Sequence, residues 1–102
     1  MPTYRLTIEY EGTRYRGWQE QKNARTVAGE VRQAIEAAAG EKVELGGSGR
    51  TDAGVHALAQ VAHFRTSSRL SEESLLRGIN SVLPEDIAIL DLREAPEGFH
   101  AR

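Results

Sequence analysis

The stretch Tyr4-Arg5-Leu6-Thr7-Ile8-Glu9-Tyr10 alternates large apolar side chains with polar ones. A period of two residues is typical of a β-strand that buries one face and exposes the other to solvent. The pattern therefore predicts that a strand opens the domain and that Tyr4, Leu6, Ile8 and Tyr10 face its core.

Two helices are predicted from capping residues and helical spacing. Thr26 is a suitable N-cap for a helix that ends at Gly40, and Ser71 caps a second helix that Pro84 ends. The apolar positions on one face of the first helix are Val27, Val31, Ala34, Ile35 and Ala38. Those of the second helix are Leu75, Leu76, Ile79 and Val82.

Short apolar runs predict three further strands, over residues 43–45, 57–64 and 87–92. The resulting order, βαββαβ, predicts a single α+β domain over residues 1–102 with a ferredoxin-like, RRM-like sandwich, in which two helices cover one face of an antiparallel sheet. Ferredoxin-like domains carry many unrelated activities, so the fold alone does not predict a function.

Composition narrows the class of protein. The chain has 102 residues, a net charge of −2 and no cysteine. This length supports one domain with a single core. Without cysteine there are no disulfides or thiolate metal sites, which fits a reducing compartment. The first residues do not resemble a signal peptide and no apolar run is long enough to span a membrane, so a cytoplasmic location is expected.

Positive charge is concentrated between Arg14 and Arg25, where four basic residues accompany one acidic residue. Nucleic-acid-binding domains are usually basic overall, so an RNA interpretation of this acidic chain depends on that local cluster. Tyr15 or Trp18 could stack on a base, or Trp18 could fix the loop to the core. We expect Trp18 to be structural and Arg14, Arg16 and Arg25 to face RNA.

The stretch Gly49-Arg50-Thr51-Asp52-Ala53-Gly54-Val55-His56-Ala57 lies between two predicted strands. A cation held beside a carboxylate favours the ionised form that a nucleophile or a general base needs. Glycines also let another backbone approach closely. From the residues alone, this segment is either a catalytic site or a glycine-rich turn in which Asp52 forms an Asx turn.

The histidines raise the question of a metal. Asp52, His56 and His63 contain the donors of a 2-His-1-carboxylate site, but their spacing does not match an established ligand pattern, so no metal is expected. We expect His56 to brace the loop or to contact phosphate, and His63 to be a packed strand residue.

The same stretch resembles the catalytic motif of the TruA family of tRNA pseudouridine synthases, and further family signatures follow in the same order along the chain. They are Tyr10-Glu11-Gly12-Thr13, Gly17-Trp18-Gln19-Glu20-Gln21, Thr26-Val27, Gly29-Glu30, Gln60-Val61-Ala62-His63-Phe64, Asn80, Leu83-Pro84 and Phe99-His100-Ala101-Arg102. The departures are Tyr15, where the family has Phe, and Ala28, where a Gln usually follows Thr-Val. Because family members are longer, the resemblance implies an amino-terminal half.

The resemblance implies an isomerase that converts uridines of the tRNA anticodon arm to pseudouridine, as a homodimer and without cofactor or metal. Asp52 would be the catalytic carboxylate, supported by Arg50, Thr51 and His56, and Arg50 would also enter the RNA. Asp52 would attack the ring carbon beside the glycosidic nitrogen, attack the anomeric carbon, or remove a ribose proton, and the sequence does not choose among these. The family's active site is a cleft between two halves, so one half alone is expected to be inactive.

Two other classes of protein share the predicted fold. A non-catalytic RRM-like RNA-binding module would carry a strand resembling Lys/Arg-Gly-Phe-Gly-Phe-Val, which this sequence lacks. A small-ligand or metal-sensing domain would show clustered ligand residues, which the sequence also lacks. Both alternatives therefore explain fewer of its features.

Overall fold

The computed structural model describes residues 2–15, 17–18, 25–47 and 57–95. Its elements are β1 (Thr3–Tyr10), a 3-10 turn (Gly12–Arg14), α1 (Val27–Ala39), β2 (Leu45–Gly47), β3 (Ala57–Arg65), α2 (Glu72–Val82) and β4 (Ile87–Ala95). The strands form one antiparallel sheet in the order β2-β3-β1-β4. This arrangement confirms the predicted ferredoxin-like fold.

β1 lies in the interior of the sheet, between β3 and β4, and its alternation decides which face is buried. Leu6 and Ile8 are fully buried, whereas Glu9 is exposed. Residues directly opposite each other in an antiparallel sheet share a face, and Leu6 lies opposite Ala62 of β3 and Leu92 of β4. All of these apolar side chains therefore enter one core.

Both helices pack on this apolar face of the sheet. Val31 and Ile35 of α1 and Leu75 and Ile79 of α2 are fully buried in the same cluster as the β1 side chains. The opposite face, called here the open face, carries the odd-numbered residues of β1. None of the helices in the described part of the chain is long and apolar enough to cross a membrane.

The helix ends match the capping signals in the sequence. The Thr26 hydroxyl accepts a hydrogen bond from the Gly29 N–H at 3.2 Å, and the Ser71 hydroxyl accepts one from the Ser74 N–H at 3.1 Å. Gly40 has a φ of 77°, a left-handed conformation that glycine adopts without a steric cost. The prediction for Val82 was wrong, because its side chain is 53% exposed at the last turn of α2.

β2 differs from its prediction in position. The sequence predicts a strand over residues 43–45, whereas the strand comprises Leu45–Gly47. Val43 is buried, but its N–H donates to the Glu36 carboxylate of α1 at 3.1 Å. Pairing with β3 therefore begins only at Leu45, which lies opposite Phe64. β4 is longer than predicted and continues past Leu92 to Ala95.

A side-chain amide covers part of the outer edge of β4. The Asn80 amide nitrogen donates to the Ile89 carbonyl at 3.0 Å, and the Asn80 amide oxygen accepts from the Ile89 N–H at 2.8 Å. Ile89 lies beside a register shift in the pairing of β1 with β4. Asn80 thus supplies the two hydrogen bonds that a neighbouring strand would supply, which protects an otherwise open sheet edge.

We predict that Asn80→Ala lowers the free energy of unfolding by about 1–2 kcal/mol, because each hydrogen bond that is removed contributes about 1 kcal/mol net. Urea unfolding measures this change. Ser81→Ala is the matched control, since its hydroxyl bonds only to the Gly78 carbonyl of the same helix, and it should cost less than about 0.5 kcal/mol. Equal costs for the two variants would contradict the role given to Asn80.

Candidate active site

The glycine-rich motif joins two strands whose ends the structure describes. Asp52, Arg50, Thr51 and His56 lie outside the described residues, so their predicted roles stay predictions. β2 ends at Gly47, opposite Ala62, whereas β3 begins five residues earlier at Ala57. At about 3.4 Å per residue, residues 48–56 connect two points about 17 Å apart along β3.

Three connections meet at this end of the sheet. Tyr10, the last residue of β1, lies opposite Ala57 at the start of β3 and opposite Ile87 at the start of β4. The next residue, Glu11, donates its N–H to the Asp86 carbonyl at 2.9 Å. The segment after β1, the motif before β3 and the turn before β4 are thus adjacent at their ends.

The segment after β1 is fixed to the core by two aromatic side chains. Tyr15 is 2% exposed and Trp18 is 4% exposed. The Trp18 ring stacks on Tyr10, with the ring centroids 6.1 Å apart. This burial confirms the structural role predicted for Trp18 and leaves neither ring free to stack on a base.

The same segment also completes the start of α1. The Gly17 and Trp18 carbonyls accept hydrogen bonds from the Val27 N–H at 3.1 Å and the Ala28 N–H at 2.8 Å. These are N–H groups that a helix leaves unpaired at its first turn. Gly17 has a φ of 98°, which favours glycine at this position. The loop and the helix start therefore stabilise each other.

Tyr15 and Asp86 form a polar contact between residues 71 positions apart. The Tyr15 hydroxyl donates to Asp86 Oδ1 at 2.6 Å. Burial raises the pKa of Tyr15 far above its ordinary value, and the hydrogen bond to Asp86 raises it further. Tyr15 therefore stays protonated as a donor at physiological pH. Sequence reasoning missed Asp86, because only the fold brings it next to a residue 71 positions away.

The two described arginines of the basic cluster have different surroundings. Arg25 Nε donates to Glu30 at 2.6 Å, and its guanidinium lies over the Tyr15 ring, 5.0 Å from the ring centroid. The hydrogen bond to Glu30 raises the pKa of Arg25. The Arg14 side chain is 72% exposed, and its Nε lies 4.0 Å from Asp86 Oδ2. Arg14 is thus more available than Arg25 for contact with a ligand. Arg16 lies outside the described residues.

The expected strand position of His63 is confirmed. His63 belongs to β3 and lies opposite Gly46 of β2. A Cβ at position 46 would fall 2.5 Å from His63 Cε1, so the absence of a side chain there lets the imidazole lie across β2. Within the described ranges no three His, Cys, Asp or Glu side chains are grouped to hold a metal ion.

The sequence was compared with known protein families and proteins. A family model described as tRNA pseudouridine synthase matches residues 6–102. Three similar proteins are each named tRNA pseudouridine synthase A. The protein from Caldicellulosiruptor bescii is 55% identical over 97 residues, covering 95% of this chain and 40% of that protein. The protein from Ruminiclostridium cellulolyticum is 51% identical over 102 residues, covering 100% of this chain and 42% of that protein.

The third, from Methylococcus capsulatus, is 53% identical over 97 residues, covering 95% of this chain and 36% of that protein. The chain thus spans about two fifths of the length of the curated relatives it matches. The family match covers nearly all of the chain, and the relatives share about half of their aligned residues with it. The chain therefore belongs to the tRNA pseudouridine synthase family.

Proposed function

We propose that this chain is the amino-terminal half of an isomerase that converts uridine to pseudouridine in the anticodon arm of tRNA. The observation that carries the proposal is the position of the motif's flanks. Ala57, the last residue of the motif, begins β3 opposite Tyr10, next to the segment after β1 and the start of β4, which supports a site for Asp52 near this end of the sheet. Catalytic side chains are disproportionately found on connections that a rigid scaffold positions.

The reaction balances without a cofactor or a metal. The bond from the glycosidic nitrogen to the ribose breaks, the base turns, and a ring carbon bonds to the ribose in its place. That carbon loses a proton and the nitrogen gains one, so no electrons enter or leave. Asp52 starts the reaction as a nucleophile or a base, because an aspartate is ionised at neutral pH.

Arg50 has two compatible roles in this proposal. It pairs with Asp52, which keeps the carboxylate ionised and oriented, and it occupies the space left when the target nucleotide leaves the stack. Thr51 and His56 support the loop. The second half of the protein completes the cleft, so residues 1–102 alone are proposed to be inactive.

The basic segment after β1 is proposed to contact the RNA backbone through Arg14, Arg16 and Arg25. The exposed Arg14 side chain supports direct contact with phosphate. Arg25 pairs with Glu30 through its Nε atom, and its side chain is 48% exposed. The terminal amino groups of its guanidinium can therefore donate to phosphate. The tRNA substrate also makes the cytoplasm the proposed location.

We predict that Asp52→Asn in the full-length protein abolishes turnover while tRNA affinity and stability change little, since the amide keeps the shape and loses the nucleophile. Nucleoside analysis of tRNA measures pseudouridine formation. Glu73→Gln on α2 is the control acid-to-amide change and should be active. More than about a tenth of wild-type turnover in Asp52→Asn would refute the assignment. A wild-type protein that binds tRNA without modifying it would instead favour the RNA-binding module.

We predict that replacing Arg14, Arg16 and Arg25 together with Gln weakens tRNA binding and reduces its salt dependence. For each phosphate that is no longer bound, the slope of log affinity against log salt should fall by about 0.7 to 0.9. Arg32→Gln is the matched control, because Arg32 pairs with Glu36 on α1. If the triple variant has the same slope as the Arg32→Gln control, these arginines do not contact phosphate.

The protein is also proposed to be a homodimer, and β4 supplies the support. β4 is an edge strand of the sheet, and its Leu90 side chain is 50% exposed. Asn80 bonds to this edge at Ile89; strand edges that stay open elsewhere pair with other chains, and two-fold dimers are the commonest closed assembly. We predict that residues 1–102 alone self-associate and that Leu90→Lys reduces the association. Light scattering that shows only monomers at high concentration would contradict this.

A further inference from the structure

The open face of the sheet carries a row of side chains that the functional site does not use. In the register of the sheet, Gly46 lies opposite His63, His63 opposite Arg5, and Arg5 opposite Arg93. This set, called here the basic row, crosses all four strands. Arg65 lies next to it on β3, two residues beyond His63.

Among the described residues, the arginines of this face have no acidic partner. Arg65 and Arg93 are exposed and Arg5 is half-buried. Within the described ranges, none of the three forms an ion pair or a side-chain hydrogen bond. Two acids, Glu9 and Asp91, share the face, and neither is within ion-pair distance of these arginines.

Arginines on or beside the helices have different surroundings. Arg25 pairs with Glu30, Arg32 pairs with Glu36, and Arg77 pairs with Glu73. The chain has more acidic than basic residues, 15 against 13, so acids are available to serve as partners. Among the described basic residues without an ion pair, Arg5, Arg65 and Arg93 lie together on the open face, whereas Lys42 and Arg69 lie in connections outside the sheet.

Arg5 and Arg93 are also in a costly arrangement. Side chains directly opposite each other on antiparallel strands have Cβ atoms about 5 Å apart, and like charges there destabilise the sheet. Asp91, two residues before Arg93 on the same face, does not offset this repulsion through an ion pair, and its Oδ1 atom is buried without a hydrogen-bond partner. An anion bound between the two guanidinium groups would offset this repulsion.

The basic row lies at a definite distance from the motif. At the β2 end of the row, Gly46 lets the His63 ring lie across β2, where a Cβ would collide with it. His63 lies six residues from Ala57 along β3, or about 20 Å at 3.4 Å per residue. The row therefore lies several nucleotides from a base held at the motif.

We propose that the basic row, with Arg65, binds phosphates of the tRNA arm several nucleotides away from the uridine that reacts. The inference rests on the proposed function, because it places the same substrate on a second surface. Arginine is well suited to this task, since its planar guanidinium donates two parallel hydrogen bonds to a phosphate. Phosphate contacts position an RNA without reading its sequence.

The test uses the full-length protein with Arg5→Gln and Arg93→Gln combined. Removing two phosphate contacts should lower the slope of log affinity against log salt by about 1.4 to 1.8. KM for tRNA should rise while kcat stays at the wild-type value, because neither side chain touches the reacting base. The double variant with Lys at both positions keeps the charge and should retain the slope. Arg32→Gln combined with Arg77→Gln is the control on the helices.

A wild-type slope in the folded Gln variant would overturn the proposal. If the rest of the protein covers this face instead, the Gln variant will lose thermal stability with an unchanged slope, which also overturns it. Should the double variant not fold, Arg93→Gln alone, at an exposed position on an edge strand, should lower the slope by about 0.7 to 0.9. Pseudouridine formation by the wild-type protein is measured separately, so failure of the proposed function is distinguishable from failure of this surface.

Discussion

The position of β1 between β3 and β4 is the constraint on which the rest of the molecule depends. Leu6 and Ile8 are fully buried, and their burial determines the face of the sheet to which the side chains paired with them on β3 and β4 point. A register slip of one residue would turn the whole apolar set to solvent. The same alternation sends Arg5 to the open face, so one pattern determines both the core and the proposed phosphate surface.

The end of this strand also organises the candidate active site. Tyr10 meets the first residues of β3 and β4, and the following segment inserts Tyr15 and Trp18 into the core. These rings anchor the segment that carries the exposed Arg14 side chain. The glycine-rich motif thus ends at Ala57, in a strand that pairs with β1, and a site that holds a reacting base in place needs such support.

Local patterns predicted much of the fold. The alternation in β1 and the caps at Thr26 and Ser71 depend on neighbouring residues and were confirmed. Contacts between distant parts of the chain were not predictable in this way. The Glu36 carboxylate accepts a hydrogen bond from the Val43 N–H, and β2 begins only at Leu45. Tyr15 and Asp86 come together only in the folded protein. The assignment of Asp52 came from resemblance, since the residues alone favour a glycine-rich turn.

The most direct test of this account is to locate the RNA on the protein. A tRNA with a photoreactive thiouridine at the target position of the anticodon arm, bound to the full-length protein, can be cross-linked and the modified peptides identified by mass spectrometry. The account predicts cross-links within residues 49–57 and in the adjoining segment after β1. Cross-links confined to the outer surfaces of α1 and α2 would contradict it.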